Sequence, residues 1–295
     1  MRTALKWAGI IVGGLLVLLL LIGGVMYVVG GANLNETFEV QTAALEIPTD
    51  SASIARGAHL ARTNGCTDCH GPDLSGQVFA DAPPFRVVAS NLTAGAGGVG
   101  RAYTAEDLDR AIRHGVKPDG RPVMIMPSAA FHQMSDEDAA ALIAYLQQVP
   151  PVDNELPPTE FRVPGRIMAA ALLDASMEVR TEPARATRPA VGPTGEYGAY
   201  LASITCAYCH GEALEGAVPP IPGSPKAPPL AAAGQWSFDE FVTTLQTGTT
   251  PSGRALDPEF MPIAFTSQFD STEYRALHAH LRQLRAPPST TAAGG

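Results

Sequence analysis

The chain has 295 residues, 45% hydrophobic and 17% charged, with 29 glycines, 26 prolines and four cysteines. That length suits about two domains, and the apolar share excludes a disordered chain. The formal net charge is −9 and no basic run is present, which excludes a nucleic-acid binder built on phosphate contacts. The acidic balance marks a solvated surface first, and a field that steers a basic partner second.

The first element is apolar. Trp7 to Ala32 carries no charge, and Leu15 to Ile22 is unbroken Leu, Val and Ile. As a helix these 26 residues rise about 39 Å, enough to cross a bilayer with some tilt. Arg2 and Lys6 precede the stretch, and the next basic residue is Arg56. The positive-inside rule then puts the N-terminus in the cytoplasm and the rest outside. A cleaved signal peptide is the alternative, with Gly30-Gly31-Ala32 as its cleavage site, but the apolar core of such a peptide runs only about 7–15 residues. Residues 1–32 are therefore assigned as a transmembrane anchor.

Two copies of one string follow, Cys66-Thr67-Asp68-Cys69-His70 and Cys206-Ala207-Tyr208-Cys209-His210. Both are C-x-x-C-H, the attachment signature of c-type haem. Two thiols at that spacing add across the two haem vinyl groups, and the adjacent histidine becomes the proximal iron ligand. The motifs consume all four cysteines. A zinc knuckle or a redox pair is the competing reading of a lone C-x-x-C. It explains two C-x-x-C-H strings half a chain apart poorly.

The repeat extends beyond the motifs. Gly57-Ala58-His59-Leu60 precedes the first and Gly198-Ala199-Tyr200-Leu201 the second. Thr104 and Ser237 each have an acid three residues on, Asp107 and Glu240, so helices begin at 105 and 238 with capping boxes. Glycines at 115 and 248 end them. Leu142, Leu146 and Val149 repeat as Leu277, Leu281 and Leu284, the buried faces of two final helices. Ser135 caps the first of these; Pro150-Pro151 and Pro287-Pro288 stop the pair. The chain divides into 33–150, a proline-rich linker over 151–190 with one helical stretch from Arg166 to Val179, and 191–295. Little sheet is expected.

The sixth iron position separates a carrier from a ligand-binding haem. Met124, Met126 and Met134 are the candidates in the first half, and Met261 in the second. Met126-Pro127 and Met261-Pro262 lie 135 residues apart, the offset of the final helices, which selects Met126 over Met124. Core packing is the ordinary fate of a methionine, and His132 is the runner-up ligand for the first haem. His59, His114, His278 and His280 are taken as surface or core residues. The proximal histidines need a carbonyl for their other N–H; loop order offers Ala89 to Leu92 for the first and Pro228 or Pro229 for the second. Gly95 to Gly100 fits G-x-G-x-x-G, but no βαβ pattern surrounds it, so a flexible loop is expected rather than a dinucleotide site. Asn35-Glu36-Thr37 and Asn91-Leu92-Thr93 match the glycosylation sequon at a length where chance matches are common.

Arg56-Gly57-Ala58-His59-Leu60, Asn91-Leu92-Thr93, Met126-Pro127, and Ser135 to Asp138 leading into Ala144-Tyr145-Leu146 make the chain resemble class I c-type cytochromes. Among these it is similar to membrane-anchored dihaem cytochromes c, and to cytochrome c subunits of periplasmic dehydrogenases. The resemblance is good over 50–150 and looser over 195–285. It implies a mostly α fold: two class I cytochrome c-like haem domains in tandem plus one N-terminal transmembrane helix. Two covalent haem c groups are expected, on Cys66, Cys69 and His70 with Met126, and on Cys206, Cys209 and His210 with Met261. The implied activity is single-electron transfer at the periplasmic face of the bacterial cytoplasmic membrane. The donor would be a quinol-oxidising complex or a dehydrogenase, and the acceptor a protein such as a terminal oxidase. No catalytic residue and no small-molecule substrate is required. A dihaem peroxidase with one open iron is the alternative, and a gas-sensing or structural haem subunit a third reading.

Overall fold

The computed structural model describes residues 2–42, 44–172, 174, 176–185, 187–219 and 223–284. Helix α1 (Arg2–Leu34) is long and apolar enough to cross a membrane, and its most apolar stretch is not buried in the protein. It runs two residues past Ala32, to where the Asn35 side-chain amide donates to the Gly31 carbonyl at 2.7 Å.

The first half contains α2 (Ser51–Thr63), α3 (Cys66–His70), strands β1 (Gln77–Ala82) and β2 (Phe85–Ala89), α4 (Ala105–His114), α5 (Ser128–Phe131) and α6 (Asp136–Leu146). Strand β3 (Glu160–Phe161) and α7 (Val163–Leu172) follow. The second half contains α8 (Gly195–Thr205), α9 (Ala207–His210), a 3-10 turn at Leu230–Gln235, α10 (Phe238–Thr247), α11 (Ile263–Thr266) and α12 (Ser271–Leu281). The fold is mostly α. Among the described residues the sheet is one antiparallel three-stranded piece in the order β1-β2-β3, with a bulge between Val78 and Ala80.

The caps fall where the residue types demanded them. Thr104 accepts from the Asp107 N–H and Ser237 from the Glu240 N–H, each acid answering the N-cap N–H. Gly115 and Gly248 close α4 and α10 in the left-handed region, at φ 69° and 71°. Ser135 caps α6, and α12 adds a third capping box, Asp270 with Glu273. Helices α6 and α12 end at Leu146 and Leu281, ahead of the prolines; Pro287-Pro288 lies outside the described residues. The linker helix differs from expectation, running Val163–Leu172 instead of Arg166–Val179. Pro164 sits in its first turn, where a missing N–H costs nothing. The chain turns again at Asp174, which accepts from the Ser176 N–H at 2.9 Å.

The two halves repeat one helical plan. Residues 128–131 and 136–146 reappear as 263–266 and 271–281 at one offset of 135. The bridge Val116–Pro122 reappears as Thr249–Ala255. In both halves the helix before the haem motif crosses the final helix at a glycine. A Cβ on Gly57 would lie 2.0 Å from the Ala141 carbonyl oxygen, and one on Gly198 1.9 Å from that of Ala276. Only glycine allows that approach.

The copies meet through one continuous apolar core. It includes Leu142 and Leu146 of α6, Tyr197, Tyr200 and Leu201 of α8, and Leu277 and Leu281 of α12. The contact is reciprocal. His59 of α2 meets Glu273 of α12 at 2.7 Å, and the equivalent Tyr200 of α8 donates to the equivalent Asp138 of α6 at 2.8 Å. Arg56 ties the sites together, reaching Glu273 at 2.9 Å and Asp138 at 3.1 Å, and Arg188 adds a bond to Asp138 at 2.8 Å. Both carboxylates are 1% exposed; each therefore depends on its partners.

Burial pushes the Glu273 carboxyl up, but His59, the Asp270 N–H and Arg56 outweigh it and hold it below its ordinary value of 4.5. A lowered folded pKa adds stability that is complete above the ordinary value and is lost as pH falls through the folded one. Melting temperature should therefore fall as the protein is acidified from about pH 6 to about pH 3. Glu273→Gln should start lower, by about 1–3 kcal/mol for the broken pairings, and show a shallower acid decline. Parallel acid declines in the two proteins would remove Glu273 as the cause.

The described residues between 151 and 185 lie along the first half. The Val152 carbonyl accepts from Asn91 Nδ2 at 2.8 Å, Thr159 Oγ1 accepts from the Val88 N–H at 3.1 Å, and β3 extends the hairpin. Buried Glu178 then bridges the halves, accepting from the Ala129 N–H at 2.9 Å and from the Tyr208 hydroxyl at 2.6 Å.

Candidate functional site

Each C-x-x-C-H string forms a single helical turn, entered through a glycine turn in the first half and directly from the end of α8 in the second. Gly65 precedes the first at φ 73° and Gly71 follows at φ 82°; Gly211 follows the second at φ 84°. The turns place both cysteines and the histidine of each motif close together. Cys66 and Cys206 pack, half-buried, against the shared apolar core. After each histidine the chain folds back identically: the Gly76 N–H donates to the His70 carbonyl at 2.7 Å and the Gly216 N–H to the His210 carbonyl at 2.8 Å. Leu74 and Leu214 take φ of 60° and 57°, a costly conformation for leucine, and both are buried. Their carbonyls accept from the Leu92 and Leu230 N–H groups at 2.8 and 2.9 Å, pinning the next loop against the motif.

That loop supplies the histidine partners. His70 Nδ1 lies 2.7 Å from the Ser90 carbonyl oxygen, and His210 Nδ1 2.8 Å from that of Pro228. Both fall within the stretches the loop order predicted. The carbonyls fix the tautomer with Nδ1 protonated and leave Nε2 as the free lone pair, as a metal-bound imidazole requires. Burial pushes both imidazoles down and keeps them neutral, against the smaller upward pull of the carbonyls.

The placement of the cysteines fits haem attachment better than a zinc site. No disulfide joins any of the four cysteines. Burial pushes the Cys66 thiol up to about 12 and raises Cys69, Cys206 and Cys209 as well. Among the described residues the one group of three ligating side chains is His59, Asp270 and Glu273. It includes no cysteine, and Arg56 already occupies Glu273. The free Nε2 atoms and the paired cysteines beside them fit covalent haem c.

Met126-Pro127 and Met261-Pro262 occupy equivalent places, each proline forming the N-cap of a one-turn helix, α5 or α11. Met126 and Met261 are half-buried, as is Met124, while Met134 is fully buried core. His132 is buried with Nδ1 3.0 Å from the Arg113 carbonyl oxygen, its ring edge-on to His114 at 5.3 Å. His114 Nδ1 lies 2.8 Å from the Arg180 carbonyl oxygen, and His278 Nε2 lies 3.0 Å from that of Trp236. His59 belongs to the contact between the halves and His280 packs at Gly198.

Two sequence decoys resolve. The Gly95–Gly100 loop is closed onto the backbone of residues 152–155, since a Cβ on Gly95 would lie 2.1 Å from the Val152 carbonyl oxygen. Its glycines serve close backbone approach rather than flexibility, and no helix begins until Ala105. Asn91 is 1% exposed and bonded to Val152, so its sequon is structural.

Helices packed around C-x-x-C-H turns, with carbonyl-tethered histidines, define a class of haem protein. Residues 54–150 match the cytochrome c family model; the chain contains a cytochrome c domain, which implies covalently bound haem c. Three relatives extend the comparison. The fructose dehydrogenase cytochrome subunit of Gluconobacter japonicus is 29% identical, over 79% of this chain and 53% of that one. The cytochrome c subunit of a quinone alcohol dehydrogenase from Gluconacetobacter polyoxogenes is 29% identical, over 84% of this chain and 60% of that one. A diheme cytochrome c-type protein of Cereibacter sphaeroides is 25% identical, over 79% and 86%. The matches thus span little more than half the length of the two dehydrogenase subunits.

Proposed function

We propose that the protein is a dihaem electron carrier, or the electron-transfer subunit of a larger dehydrogenase or respiratory complex. It would be anchored by α1 with its haem domains in the periplasm. His70 and Met126 would hold one iron and His210 and Met261 the other, with Cys66, Cys69, Cys206 and Cys209 forming the thioethers. Haem c so ligated supplies a one-electron ferric/ferrous couple, its potential raised by methionine. The chain's own residues orient the imidazoles and would hold the two haems in halves that share one core. The carrying observation is the recurrence, in matched register, of a carbonyl-tethered C-x-x-C-H histidine and a Met-Pro helix start. The domain contact supports a relay: α5 packs against α8 and α9 of the other half, and Phe265 of α11 lies beside Gly65 at the first motif. The relatives named as dehydrogenase cytochrome subunits favour a dehydrogenase as donor.

The test is the optical spectrum of the purified protein with its haem-to-protein ratio. Two low-spin haems, each contributing to the weak long-wavelength band of thioether-ligated ferric iron, are the expected result. One high-spin haem would transfer the reading to a dihaem peroxidase or ligand-binding protein.

A further inference from the structure

Helix α7 is inside out for a helix on a water-soluble surface. Its inward face is small: Gly165 rests on the Pro84 carbonyl of the β1-β2 turn, and Ala169 is fully buried. Its outward face is apolar, comprising Val163, 59% exposed, with Pro164, Met168, 39% exposed, and Ala171. These positions share one side at helical spacing. The helix packs along the C-terminal part of α1, where a Cβ on Gly30 would meet the Arg166 carbonyl oxygen.

Position along α1 indicates what covers that face. Trp7 and Tyr27 are 20 residues apart, about 30 Å of helix and the thickness of the hydrocarbon layer. Aromatic residues of this kind sit at the two interfaces. Arg166 lies over the Tyr27 ring at 5.3 Å, and its Nε donates to the Phe161 carbonyl at 3.3 Å. Among the described residues it has no carboxylate partner. A cation at an interfacial tyrosine, beside an exposed apolar stripe, matches a lipid surface: phosphate for the guanidinium, acyl chain for the stripe.

We infer that α7 lies in the outer interface of the same bilayer that α1 spans, with Val163, Pro164, Met168 and Ala171 against lipid and Arg166 at the phosphates. This rests on α1 spanning the membrane. It makes the first haem domain a membrane-seated body rather than one tethered by a single helix.

The experiment uses the full dihaem protein in nanodiscs of phosphatidylethanolamine and phosphatidylglycerol. The native cysteines are consumed as thioethers, so Val163→Cys, Met168→Cys, Leu18→Cys and Glu212→Cys each take one nitroxide label. Collision with oxygen against a water-soluble nickel chelate reports the surroundings, and an intact haem spectrum verifies folding. The expected result is oxygen access with nickel protection at 163, 168 and 18, and nickel access at 212. Nickel access at 163 and 168 with 18 protected would overturn the inference and leave the span intact. Nickel access at 18 would overturn both. Protection from both reagents at 163 and 168 would show protein, not lipid, on the face and also overturn it.

Discussion

Met126→Ala and Met261→Ala should each remove half of the thioether–iron band and lower the potential of one haem, leaving the other haem unchanged. A neutral thioether favours ferrous over ferric iron, and its loss exposes the sixth position to water or a stronger donor. A fall on the order of 100 mV is expected, a fraction of the roughly 0.8 V that axial ligands span. The two methionines begin equivalent loops whose prolines cap α5 and α11, so their variants should behave as a matched pair. Redox titration with spectral monitoring provides the check. An intact band in Met126→Ala, with its loss in Met124→Ala, would shift ligation two residues. A band worth one methionine already in the parent protein would point to His132 or an open site at the first iron.

Gly57→Ala and Gly198→Ala should each unseat one haem domain. A methyl group at either position would overlap a carbonyl oxygen by more than 1 Å, and that carbonyl belongs to a helix backbone that cannot swing aside. The crossing helices must separate along their length, at a cost of about 3 kcal/mol or more. Gly198→Ala should reduce haem content toward one per chain and lower the melting temperature, with Gly57→Ala doing the same to the other domain. Gly13→Ala, with nothing within 4 Å, is the matched control. Full haem loading and unchanged melting in both crossing variants would show that the helices can move apart cheaply.

Much of this was legible in the sequence because the signals were local. A capping box needs two residues three apart, and C-x-x-C-H carries its own geometry. The carbonyl partners of His70 and His210 followed from loop order, since a loop leaving the motif has few places to return. The β1-β2 hairpin was not legible. Its turn is Pro83-Pro84 and Phe79 sits in a bulge, so neither hairpin chemistry nor alternation marked it. The contact between the halves was hidden for another reason. Asp138 and Glu273 look like helix-capping acids, and Glu273 is one; nothing local tells that they also receive Arg56, His59 and Tyr200. The exposed face of α7 was invisible too, because exposed and buried apolar residues look the same in a string.

The reciprocal contact between the halves has the form of a homodimer interface: α2 meets α12 as α8 meets α6, the two-fold rule that a residue and its equivalent exchange partners. Here both copies are written in one chain and joined by residues 151–190. Joining converts association into an intramolecular event with an effective concentration fixed by the linker. The contact between the two halves is then independent of how much protein the cell makes, and dilution cannot part them.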